Sequence, residues 1–162
     1  VTFVVLRWLC EYAERVVKQP LTRDNTKRGA KKMAVIMSYH GTLESRAALV
    51  EAVNLAKLLG EKLLCVYAQK HRGDDLAVDS QVMEVLHDAL GQEDLDYAVQ
   101  PCPRGKDVSE FVLEAARENH ASYVVIGLAH SSRYGGMNIG PNAQRLLLEA
   151  PCPVVTYTTK LD

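Results

Sequence analysis

The residues able to do chemistry gather in two stretches. The first is Ser38-Tyr39-His40-Gly41-Thr42, directly after an apolar run. The second runs Gly127-Leu-Ala-His130-Ser131-Ser132-Arg133-Tyr-Gly-Gly-Met-Asn-Ile-Gly140-Pro141 and leads into a helical pattern. A glycine-rich turn that feeds a helix start offers free backbone N–H groups and the positive end of the helix dipole, which suits a phosphate. Other chemistry is poorly served. His40 and His130 lack a third ligand for a metal site. Ser131 and Ser132 adjoin His130, but no third group orients it as a base, so a hydrolase is not expected. Cys10, Cys65, Cys102 and Cys152 stand far apart with no C-x-x-C pair, which argues against zinc and against a disulfide framework and suits a reducing cytoplasm. No catalytic constellation emerges, and the expectation is a binding protein, not an enzyme.

The elements that must hold these stretches alternate regularly after Met33. Strands are expected at Ala34 to Tyr39, Lys62 to Ala68, Leu95 to Pro101, Ser122 to Gly127 and Cys152 to Thr158. Helices are expected from about Leu43 to Leu59, Leu76 to Leu90, Val108 to His120 and Pro141 to Ala150. Ala48, Ala52, Leu55 and Leu59 make an apolar stripe closed by Gly60, and Asp107 with Glu110 fits a capping box. Continuous apolar runs such as 34–39 and 123–127 predict strands covered on both faces. The fold class is α/β, a doubly wound five-stranded parallel sheet, and its ligand is expected beyond the carboxyl ends of the strands, where both stretches lie.

The second stretch resembles the nucleotide fingerprint of the universal stress protein family, Gly-x-x-Gly, nine residues, then Gly-Ser or Gly-Thr. Positions 127, 130, 140 and 141 fit the spacing. Gly41-Thr-Leu-Glu-Ser-Arg-Ala-Ala-Leu49 and Ala143-Gln-Arg-Leu-Leu-Leu-Glu-Ala-Pro-Cys-Pro-Val-Val155 extend the resemblance to roughly residues 33–158. It implies the adenine-nucleotide alpha-hydrolase-like strand order 3-2-1-4-5 and ATP or AMP as ligand, with no metal beyond magnesium carried by the nucleotide. Phosphates would lie near Gly127, His130, Ser131, Ser132 and Gly140, and the nucleoside near Ser38, His40 and Val66. Three positions depart from the pattern: His130 replaces the second glycine, Pro141 the hydroxyl residue, and His40 the usual aspartate at the end of strand one. Pro141 has neither hydroxyl nor N–H to offer a phosphate, although it suits the first position of a helix. An imidazolium at 130, with Arg133, would restore attraction for an anion. A PP-loop adenylating enzyme would need Ser-Gly-Gly-x-Asp-Ser after strand one, which Ser38-Tyr-His-Gly-Thr-Leu does not supply.

Two domains are expected, residues 1–32 and 33–162. In the first, Val5, Leu9, Tyr12 and Val16, with Trp8, follow helical spacing up to Pro20; Arg23, Lys27, Arg28, Lys31 and Lys32 then form a basic linker. Residues 1–32 carry eight Lys/Arg against three Asp/Glu, and the remainder 11 against 17, so the main body is not expected to bind nucleic acid. Val1 to Cys10 is about half the roughly 20 residues that span a bilayer. A helix packed on the domain or across the dimer is one reading of residues 1–32; a membrane or transporter connection is another, in which the chain is the cytoplasmic regulatory domain of a transporter. Met33 is also a candidate natural start. The resemblance further implies a homodimer formed through the last strand, Val154, Val155, Thr156 and Tyr157, which would cover a sheet edge. A cytoplasmic stress-response protein that associates with an unidentified protein partner is the leading expectation.

Overall fold

The computed structural model describes residues 33–68, 76–131, 136–137 and 139–158. The chain divides into two units, 1–30 and 31–162, and the description concerns the second. The expectations for residues 1–32 lie outside the described residues.

Strand β1 (Ala34–Tyr39) is buried at every position, Ser38 included, as befits a strand covered on both faces. It lies at the centre of a parallel sheet between β2 (Lys62–Tyr67) and β4 (Tyr123–Leu128), with β3 (Tyr97–Pro101) and β7 (Val154–Thr158) at the edges. The order β3-β2-β1-β4-β7 is the expected one, β7 being the fifth strand of this sheet.

Side chains alternate across each strand and build two cores. On one face Val35, Met37, Cys65 and Val125 meet Ala48, Ala52 and Ala56 of α1 (Leu43–Leu59) and Leu86 and Leu90 of α2 (Leu76–Gly91). On the other, Ile36, Val66, Val124 and Ile126 meet Val112, Leu113 and Ala116 of α3 (Val108–Glu118) and Leu146 of α4 (Pro141–Glu149). Alanines at four-residue spacing on α1 give it a low ridge that can lie close to the strands.

Helix ends follow local chemistry. Gly60 closes α1 at φ 66°, a left-handed backbone that costs glycine little. The α3 helix stops at Glu118, two residues before the expected end, because Asn119 closes it and His120 takes φ 47°. The Asn119 side chain donates to the Ala115 carbonyl at 2.8 Å. Strand limits also differ from expectation. The β7 ladder begins at Val154, since Pro153 has no N–H to give; its carbonyl accepts from Val124 N at 3.0 Å. The third strand starts at Tyr97, after a turn in which Leu95 N donates to the Glu93 carbonyl, and β2 stops one residue short of Ala68.

Candidate functional site

The carboxyl end of β1 turns into α1 within three residues. Gly41 takes φ +71°, and the Thr42 hydroxyl accepts from Ser45 N at 3.3 Å as the N-cap. Ser45, itself buried, returns its hydroxyl proton to the Thr42 carbonyl at 2.9 Å. The helix side of this turn is therefore tied twice between Thr42 and Ser45, and His40 stands at the tip of the central strand. His40 is half-buried, and its Nε2 lies 3.1 Å from Ser38 Oγ. Sequence reasoning named both residues but not their bond; their i, i+2 spacing on one strand face was the available signal.

Val66, in register with Ser38 on β2, is fully buried in the core. Its side chain belongs to the core beneath the end of β1.

Gly127 faces α1. A Cβ there would stand 2.5 Å from the Glu44 carbonyl carbon and 2.7 Å from Ser45 N, so the first turn of α1 seats on bare backbone of β4. Packing within the chain accounts for this glycine before any phosphate is considered. Gly140 is different. Its φ of −65° suits any residue, and a Cβ there would meet nothing within 4 Å.

Between these glycines, where an open loop was expected, β5 (His130–Ser131) pairs antiparallel with β6 (Gly136–Met137), His130 opposite Met137. Two-residue strands are too short for alternation to show in sequence. His130 and Ser131 are thus placed by backbone in a ribbon two residues beyond β4, and Ser132 lies outside the described residues. Whether His40 and His130 face one another also lies outside them.

The helix starts differ in how they are satisfied. Thr42 caps α1, and Asp107 caps α3 by accepting from Glu110 N at 2.9 Å. The Asp107 carboxyl is held below its ordinary value by the Ser109 hydroxyl first and by this N–H next. No side chain caps α4, which begins at Gly140 with Pro141 in its first turn and no acidic residue there. The first-turn N–H groups of a helix have no partner within the helix, so α4 begins with donors and a positive dipole end that its own cap does not answer.

Burial pushes the Cys65 thiol up to about 12 and raises Cys102 and Cys152 as well, which keeps all three as weakly nucleophilic thiols. Among the described residues, no group of three or more His, Cys, Asp or Glu could hold a metal ion, and no helix is long and apolar enough to cross a membrane.

A sequence model described as "Universal stress protein family" matches residues 30–157. A curated universal stress protein of Mycolicibacterium smegmatis is 30% identical over 126 residues, 75% of this chain and 94% of that protein. Among solved structures, a universal stress protein from Archaeoglobus fulgidus superposes with a TM-score of 0.66 at 21% identity, covering 77% of this chain and 98% of its own. A universal stress protein structure from the same organism, solved in complex with dAMP, gives 0.61 at 18% identity over 77% and 97%.

Proposed function

This chain belongs to the universal stress protein family, and from that membership we propose that it binds an adenine nucleotide at the carboxyl ends of β1 and β4. The observation that carries the reading is the uncapped start of α4 at Gly140, beside two helices whose starts are capped by Thr42 and Asp107. Anions bind at such ends because N–H groups and dipole act together. Structurally similar family members are solved with dAMP, AMP and cAMP, three ligands that share adenine, a pentose and phosphate.

In this reading the phosphates lie against Gly140 and the first turn of α4, with His130 and Ser131 on the ribbon side. The nucleoside lies toward His40. Pro141 removes one N–H donor from the α4 start, so the imidazole of His130 takes over part of the anion's charge. The protein acts by association with a partner, tuned by nucleotide and not by turnover, and works in the cytoplasm. A homodimer through β7 completes the proposal. The edge position of that strand supports it, as does Leu148, 85% exposed on the helix leading into it.

Calorimetric titration with AMP and ATP, with and without magnesium, tests the reading. Micromolar binding, about −8 kcal/mol, is expected, and Gly140→Asp should abolish it through bulk and like charge. No heat with either nucleotide, and none carried through purification, would refute it.

A further inference from the structure

Helix α1 carries apolar residues on two faces, and the sheet covers only one. Ala48, Ala52 and Ala56 lie in the core. On the opposite face Leu43, Val50 and Leu58 are 73%, 59% and 82% exposed, and Ala47 and Asn54 fall between them. Steps of three or four residues keep these five in one row along the helix. Single exposed apolar residues are ordinary, but a row of them along a whole helix marks a contact surface. Charge edges this row unequally: helical spacing puts Arg46 and Lys57 on one side of it and Glu44 and Glu51 on the other. Lys57 is already held by Glu93. Arg46 and Glu51 are exposed and take part in no ion pair among the described residues.

We infer that this face of α1 pairs with the same face of a second copy of the chain, the two helices running parallel about a twofold axis. In a parallel pair the basic side of each row meets the acidic side of the other, and Arg46 comes beside Glu51 of the second copy, as flanking charges do across a parallel helical seam. An antiparallel pair would lay like charge on like. Asn54 then meets its own copy within the seam, where a polar residue fixes register and partner number at a cost in stability. The row is short, so the contact is a weak one, populated at roughly 100 µM and above. It uses neither the nucleotide site nor β7, and in dilute solution it is absent.

Sedimentation equilibrium of the full-length protein, from about 10 µM to about 1 mM, tests the pairing. The average mass should climb toward twice its dilute value. Val50→Lys, which sets two lysines into the seam, should hold the mass at the dilute value throughout. Arg46→Glu and Glu51→Arg each put like charges side by side and should weaken the association about tenfold; the double exchange restores opposite charges and should return it to within about threefold of the parent. All three positions are exposed, and unchanged urea midpoints will show that the fold is intact in each variant. Thr156→Lys, aimed at the β7 edge, should leave the climb in place. A parent mass that stays flat, a climb that persists in Val50→Lys, a climb lost in Thr156→Lys, or a double exchange no better than the single changes would overturn the inference.

Discussion

A methyl group at Gly127 has no room, because the Glu44 carbonyl carbon already lies 2.5 Å from where it would sit. Gly127→Ala is expected to lower unfolding stability by about 1–3 kcal/mol, the usual cost of overpacking. Gly140→Ala should stay within about 0.5 kcal/mol of the parent. Urea titration of both variants checks this, and equal losses would contradict the assignment of Gly127 to packing. In the sequence both glycines occupy the same motif and look alike; only the approach of α1 separates them. Ser38 and His40 could be placed at the end of the first strand from sequence to a similar limit: their 3.1 Å contact needed the strand geometry. The Cys65 thiol supplies a second residue-level test. Its pKa rises from about 9 to about 12 through burial, so the unfolded chain releases the proton first as pH rises. The stability is intact below about 9 and is lost between about 9 and 12, at up to roughly 1.4 kcal/mol per pH unit. Cys65→Ala should flatten that alkaline decline even though it lowers stability at neutral pH; parallel declines would show that Cys65 does not govern it.

Among the elements, the start of α3 is joined by charge to the middle of α4. Asp107 caps α3, and Arg145 on α4 reaches the same carboxylate at 3.4 Å and Glu149 at 3.3 Å. The cap matters more than the exposed ion pair, since surface pairs contribute little. Asp107→Ala is expected to cost about 1 kcal/mol, within the usual 0.5–2 range for a lost N-cap. Because the folded carboxyl titrates below its ordinary value, the contribution is present above that ordinary value and disappears as pH falls through the lowered one. Denaturation of parent and variant at neutral and acid pH should therefore converge in acid; a constant gap would refute the cap as its source. Asp107 was readable because a capping residue acts through its neighbours in sequence. The same locality made β1 and the α1 stripe readable. The β5–β6 ribbon was not, since its pairing joins two-residue segments with no period of their own.

At the scale of the molecule, the proposed dimer makes β7 the place to intervene. Thr156 is the middle residue of Val154–Thr158 and is exposed. In a strand paired with its own symmetry mate about its centre, this residue meets its copy, so Thr156→Lys would set two like charges opposite each other. Sedimentation should then report a monomer where the parent gives a dimer; a variant with unchanged mass would place the interface elsewhere. The order of strands across the sheet has a further bearing, on time. The central strand pairs on one side with β2, made soon after it, but on the other with β4, where Val35 waits for Tyr123. As the chain leaves the ribosome, three helices and three strands emerge before the second neighbour of β1 exists, and the first turn of α1 has no Gly127 to rest on. Closing so long a loop is slow. The nascent protein spends that interval with its best hydrophobic strand half covered, which is when a chaperone would have most to bind.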